Sequence, residues 1–201
     1  MFNAVTIVGV GLIGGSFSLA LKNLGLTKKV IGVSRTQSSA RKAIGLGLIE
    51  DPVRASDLIY VAIPVDTTIP VMKQIMDLVT SKQIVVDAGS TKSVLCASLA
   101  DHPMRHRFVA THPMWGTEYS GPEAAVQDAF TGRTCVICEK EKRDPAIVDI
   151  IENVYRQLGM RLSYMDADGH DMHAAYVSHI SHITSFALAH TVLGKEKEGD
   201  A

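Results

Sequence analysis

The sequence predicts an α/β fold: a doubly wound, Rossmann-type, mostly parallel sheet followed by a long helix that begins an all-α second domain. Three observations predict it. Runs of strand length are continuously apolar rather than alternating, as strands covered on both faces require. Helix-like segments fall between several of these runs, in the order that crossover connections need. The first run ends in Gly9-Val-Gly-Leu-Ile-Gly14, with an apolar helical segment directly behind it.

In chain order, the first strand is expected at Val5–Val10 and the first helix at Leu12–Leu24. A strand at Val30–Val33 and a helix at Ser38–Leu46 follow, then a strand at Leu58–Ile63 and a helix at Thr67–Val79. Ile84–Val86 is the next strand, Lys92–Leu99 a helix, and Phe108–Thr111 and Cys135–Ile137 are two further strands. Pro145–Leu158 reads as a helix and Leu162–Tyr164 as the last strand, which closes a dinucleotide-binding domain over residues 1–165. Residues 166–201 then read as the start of a helical second domain that is cut short or completed by another subunit. From Ala167 to Leu193 there is no proline, and the one glycine, Gly169, lies in the first turn. Such a helix spans about 40 Å, longer than one sheet needs. Asp166 or Asp168 is placed to cap its start and Gly194 to end it. Its Ile180, Ile183, Phe186 and Leu193 are expected to bury against something beyond the first domain.

Composition narrows the function. Among 201 residues, 46% are apolar, enough for a sizeable core. Twenty basic residues stand against 21 acidic ones, a net charge of −1, which argues against nucleic-acid and membrane-surface partners. No uncharged apolar run reaches the length of about 18 residues that a spanning helix requires, and the N-terminus lacks the basic region of a signal peptide. The three cysteines, Cys96, Cys135 and Cys138, fit a reduced, cytoplasmic setting. Cys135 and Cys138 lie three apart in a strand and so point to opposite faces, which makes them structural rather than a metal or redox pair.

The glycine turn is the strongest single motif. In G-x-G-x-x-G, Gly9 permits the tight turn, Gly11 lets backbone approach a pyrophosphate, and Gly14 lets helix and strand pack closely. The helix N-terminus then faces the phosphates, with Leu12 and Ile13 in its first turn. The second strand would normally end on a carboxylate that reads the ribose, but here it ends Ser34-Arg35-Thr36. Two hydroxyls and a guanidinium suit a 2′-phosphate, so NADP is expected to be preferred over NAD. Pro64 and Ser90, beyond later strands, complete the expected cofactor contacts.

His112 closes another strand and is followed by the loop Pro113-Met-Trp-Gly-Thr-Glu-Tyr-Ser-Gly121. In a doubly wound fold, a strand's carboxyl end faces the ligand crevice, so His112 is a candidate acid–base group. Trp115 is expected to pack over the pocket mouth or a neighbouring helix. On the long helix, Ser178, His179, Ser181, His182 and Ser185 form one polar stripe. His170 with His173, and His179 with His182, lie too far apart for one ion to hold all four, so no metal is expected and His170 and His173 read as helix-face histidines. Met160, Met165 and Met172 read as core.

In combination, GVGLIGGS at Gly9–Ser16, DAGSTKS at Asp87–Ser93, THPMWGTEYSG at Thr111–Gly121 and HDMHAAYVSHISH at His170–His182 resemble the prephenate and arogenate dehydrogenases, over essentially the whole chain. The resemblance implies a nicotinamide-dependent enzyme that oxidises a cyclohexadienol as it loses CO2, giving 4-hydroxyphenylpyruvate from prephenate or tyrosine from arogenate. It implies that His112 is the catalytic histidine on the substrate's 4-hydroxyl, with Ser90 beside it. The alternative role for Ser90 is N-cap of the helix near Lys92, and Lys92 is either a cofactor contact or a solvated charge. Glu118, His179 and His182 are implied to contact substrate, although the family's arginine partner for the acidic position has no counterpart before Ala201. A homodimer through the helical region is also implied. Two alternatives stand beside this reading: another small hydroxy-acid dehydrogenase with a lysine-based site, although Ala167–Leu193 contains no lysine, and an NADP-binding but inert fragment.

Overall fold

In the computed structural model, residues 1–33 and 50–199 are described. The helix expected over Ser38–Leu46 and the predicted contacts Ser34, Arg35 and Thr36 lie outside the described residues. Seven strands form one sheet in the order β2 (Thr27–Val33), β1 (Phe2–Val8), β3 (Leu58–Val61), β4 (Ile84–Asp87), β5 (Phe108–Pro113), β6 (Thr134–Cys138) and β7 (Arg161–Met165). Strands β1 to β5 are mutually parallel. The helices are α1 (Leu12–Asn23), α2 (Glu50–Arg54), α3 (Val65–Leu78), α4 (Ser93–Ser98), α5 (Pro145–Gln157), α6 (Ala167–Ala174) and α7 (Ile180–Gly199).

Both faces of the sheet are covered, which is why the strands read as unbroken apolar runs. On one side α1 and α5 bring Phe17, Leu21, Ile151 and Tyr155 against Ile7, Tyr60, Val86 and Val109. On the other, α3 and α4 bring Met72, Ile75, Leu95 and Cys96 against Ile59, Val61, Val85 and Ala110. Successive residues of one strand feed opposite layers, as the pleat demands. Phe17 stacks flat on Tyr60 with ring centroids 3.8 Å apart. Cys135 and Cys138 likewise enter opposite layers, and all three cysteines are free and buried.

The sheet departs from full parallelism at one place. β6 runs antiparallel to β5, and β7 is parallel to β6. The connection from β5 to β6 contains only the short 3-10 turn Pro122–Ala124. With no crossover helix to return the chain to the far edge, β6 must start from the end where β5 stopped. Helix α5, with Pro145 in its first turn and Asp144 accepting from the Ala146 N–H, supplies the next crossover and restores a parallel pair.

The terminal helix starts where expected: Asp166 accepts from the Gly169 N–H at 2.7 Å. A π-helical stretch at Ala175–His179 joins α6 to α7. Gly194 does not end the helix, which continues to Gly199; a glycine inside a helix costs about 1 kcal/mol but terminates nothing by itself. Met172 also departs from expectation, being 64% exposed. Helix α6 is anchored by the side that carries Ala167, His170 and Ala174, and a residue two positions on from His170 faces away from that side. Among the described residues, no helix is long and apolar enough to cross a membrane.

Candidate active site

The strand order reverses between β1 and β3: β1 leads to β2 on one flank while β3 lies on the other. The carboxyl ends at such a point open into a crevice. Gly9 occupies that end with φ +97°, and its N–H donates to the Val33 carbonyl at 2.8 Å. A Cβ at Gly9 would run into the Ala62 carbonyl at the end of β3, and one at Gly14 would strike the Gly9 carbonyl. The turn is therefore pressed tightly between strand and helix. At Gly11, by contrast, a Cβ would meet nothing within 4 Å. Gly11 is also the N-cap of α1, and among the described residues no side chain caps the first-turn N–H groups. Leu12 and Ile13 are half-buried beside it. This arrangement fits a dinucleotide pyrophosphate. Pro64 sits at the neighbouring end of β3, where its carbonyl accepts from the Thr67 N–H and the Thr68 hydroxyl, both at 3.0 Å. The loop after β5 leans over the same helix: the Val126 N–H donates to Ser16 Oγ at 2.9 Å.

The ends of β4 and β5 carry a buried polar cluster. Asp87 is fully buried and takes an ion pair from Lys92 Nζ, with further donation from the N–H groups of Gly89 (3.0 Å) and Thr111 (3.2 Å). The Thr111 hydroxyl donates to the Asp87 carbonyl at 2.6 Å. His112, the next residue, is half-buried, and its Nδ1 lies 2.9 Å from Nε2 of His170 on α6. Nδ1 of His170 lies in turn 2.7 Å from Asp171 Oδ1. Asp171 also accepts from the N–H groups of Lys92 (2.7 Å) and Ser93 (2.9 Å), which start α4. Burial holds the His170 imidazole below its usual range, against the pull of Asp171. For Asp171, burial pushes the carboxyl up, but the Ser93 N–H, His170 and the Lys92 N–H outweigh it and leave it below the usual carboxylate range.

Several sequence expectations change here. Ser90 is exposed in the turn between β4 and α4 and does not cap the helix; the cap is Asp171. The His112 ring is met at Nδ1 by His170, which is 1% exposed and no helix-face residue. Lys92 is not a solvated charge but the buried partner of Asp87. Trp115 packs on Phe130, ring centroids 6.0 Å apart. Glu118 and His182 are exposed, and the side chain of His179 lies outside the described residues. His170, Asp171 and Asp87 are the site residues that sequence reasoning missed. The available signal was an imidazole beside a carboxylate at a helix start, His170-Asp171, too short to separate from surface chemistry.

Between β1 and β5 lie two strands, hence three spacings and about 14 Å. A cavity of about 430 Å³ between Phe2, Asp57, Ile84 and Arg107 lies at the opposite, amino ends of the strands.

Residues 17–164 match the nucleotide-binding domain of prephenate dehydrogenase. The chain belongs to the prephenate dehydrogenase family. It is 29% identical to a prephenate dehydrogenase of Bacillus subtilis over 94% of this chain and 54% of that one. It is 28% identical to a cyclohexadienyl dehydrogenase of Zymomonas mobilis over 98% of this chain and 70% of that one. Among solved structures, the Aquifex aeolicus prephenate dehydrogenase in complex with hydroxyphenyl propionate and NAD+ superposes with a TM-score of 0.83 at 30% identity, over 96% of this chain and 70% of that one. The Synechocystis arogenate dehydrogenase gives 0.77 at 26% identity, over 94% and 68% of the two chains. The chain thus spans about half of the Bacillus relative.

Proposed function

We propose that this family member catalyses the nicotinamide-dependent oxidative decarboxylation of prephenate or arogenate, giving 4-hydroxyphenylpyruvate or tyrosine. The observation that carries the reading is His112: it stands at the carboxyl end of β5, on the same rim as the glycine turn, and its ring is held by a buried polar chain. Gly9–Gly14 would hold the pyrophosphate of the dinucleotide, whose nicotinamide would supply the hydride acceptor. As the carbon bearing the 4-hydroxyl gives up hydride, the hydroxyl proton becomes acidic and is taken by His112, which returns it to the same oxygen when loss of CO2 leaves its electron pair in the ring and a phenol forms. Aromatisation and CO2 loss drive the reaction, so the protein's work is orientation and polarisation. Ser90, Glu118, His179 and His182 are assigned to substrate on family resemblance. His112→Gln should lower turnover by about 10²- to 10⁴-fold, the worth of a positioned base. Unchanged turnover, assayed with both substrates and both cofactors, would remove the assignment.

NADP is proposed as the preferred cofactor, because Ser34-Arg35-Thr36 has no carboxylate to accept from a ribose hydroxyl or repel a 2′-phosphate. Arg35→Ala should weaken NADP use selectively; equal efficiency with both cofactors in the unaltered chain would reject the preference. A homodimer through α7 is proposed as well. Ile180, Ile183, Phe186, Leu188, Val192 and Leu193 are 45–74% exposed and spread around all sides of the helix, the pattern of a helix buried in a larger assembly. A monomer by light scattering at micromolar concentration would contradict it. The same exposure favours a second reading, in which this chain binds NADP but needs a further helical layer to turn over; cofactor binding without prephenate- or arogenate-dependent reduction would support it. Free, buried cysteines favour a cytoplasmic setting.

A further inference from the structure

We propose that His170 and Asp171 are positioning residues that lock His112 into one tautomer, the Nδ1–H form, so that Nε2 presents the lone pair that takes the substrate's proton. The inference rests on the reading of His112 as the base, and it follows from hydrogen-bond bookkeeping. An ionised carboxylate can only accept. Asp171 takes three N–H donors, from Lys92, Ser93 and the His170 ring, and is held ionised by them. The shared proton of the 2.7 Å contact therefore resides on His170 Nδ1. A neutral imidazole has one donor and one acceptor, and burial keeps His170 neutral. Its Nε2 is then the acceptor in the 2.9 Å contact, and His112 must donate from Nδ1. Neutral His112 with hydrogen on Nδ1 carries its lone pair on Nε2. When Nε2 receives the hydroxyl proton, the new positive charge lies one imidazole away from the Asp171 carboxylate.

The geometry holds this chain rigid. The His112 and His170 rings meet edge-on at 72°, with centroids 5.1 Å apart. His170 is buried, and Asp171 is fixed at both oxygens by the start of α4. Among the described residues, the charged or titratable groups near the pair include Asp87 and Lys92, from β4 and the start of α4 and paired with each other, and the Cys135 and Cys138 thiols of β6, held protonated by burial. In water an imidazole exchanges freely between tautomers; here the second nitrogen's partner decides, which is how a distant carboxylate acts on a reacting atom.

The test reads the tautomer directly, by long-range proton–nitrogen correlation of imidazole-labelled full chain near pH 7.5. The expected result is Nδ1–H on His112, and an Nε2–H signal overturns the proposal without any variant being made. His170→Gln keeps an acceptor close to the Nε2 position and should retain both the tautomer and most of the turnover. His170→Phe should lose the Nδ1–H signature and about 10²-fold of kcat, with KM little changed. Persistence of the Nδ1–H form in a folded His170→Phe protein also overturns it. The two readings fail separately: Nδ1–H with no prephenate or arogenate turnover rejects the proposed activity alone, whereas Nε2–H with His112-dependent turnover rejects the lock alone.

Discussion

Replacing Lys92 by methionine tests the buried pair at the end of β4. The side chain keeps nearly the same length, so little cavity forms, and the change is confined to the loss of charge. Lys92 and Asp87 are both fully buried and paired with each other. Removing one partner of such a pair strands the other and costs roughly 3–5 kcal/mol. In a domain of this length each kcal/mol lowers Tm by about 2–4 °C, so the variant should melt roughly 6–20 °C lower. Asp87 would retain the Gly89 and Thr111 N–H groups, which places the expected loss toward the lower half of that range. The Asp87→Asn/Lys92→Met double variant buries no stranded charge and should be more stable than Lys92→Met alone. Urea and thermal unfolding of the three proteins decide the matter. A loss below about 1 kcal/mol in Lys92→Met, the scale of an exposed ion pair, would refute the reasoning.

Three further outcomes are expected. Gly9→Ala places a Cβ on backbone at φ +97° and against the Ala62 carbonyl, so cofactor affinity by fluorescence titration should fall at least about tenfold, with strain of about 1–3 kcal/mol in unfolding; unaltered affinity would count against the turn as the cofactor cradle. Because the folded state holds the His170 imidazole below its ordinary value, the unfolded chain binds that proton first as pH falls: the stabilisation is complete above about pH 6.5 and declines below it. Asp171 is depressed instead, so its contribution survives until pH falls through the acidic range below about 4; urea midpoints should therefore drop between pH 7.5 and 5.5, and less so in His170→Gln. Burial pushes the thiol of Cys96 up to about 11 and that of Cys138 to about 12, with Cys135 raised as well, so a thiol reagent at pH 8 should label none of them quickly until urea is added; one fast-reacting thiol in the native protein would contradict their burial.

The sheet was readable because its strands are buried twice over. Val5, Ile7, Ile59, Tyr60 and Val61 leave no polar face to interrupt the run, and glycine or proline marks several of their ends. The reversal at β6 was legible only by omission: no helical segment separates Thr111 from Cys135, and a parallel return needs one. The glycine turn could be placed because its constraints are local, each satisfied within a few residues of Gly9. The reach of the last helix was underestimated for the opposite reason. A glycine such as Gly194 ends a helix only where the chain takes the left-handed turn, and nothing in the sequence says whether it does.

The site divides along the same line. His112 was legible as a polar residue closing an apolar strand, but the groups that orient it are 58 or more residues away in sequence. Capping rules look to a nearby hydroxyl and therefore pointed to Ser90, whereas the first N–H groups of α4 are taken by a carboxylate 79 residues along the chain. Asp171 serves two ends at once: it completes α4, and through His170 it orients His112. That economy ties the start of the terminal helix to the end of the catalytic strand. Because the cap and the imidazole share one carboxylate, α6 cannot leave the sheet without both exposing the α4 N–H groups and removing His170 from the His112 ring. A terminal helix whose far end is exposed and apolar is thereby anchored at its near end by the polar chain that runs from Asp171 to His112. Docking of α6 and formation of the His112–His170 contact are thus one physical event.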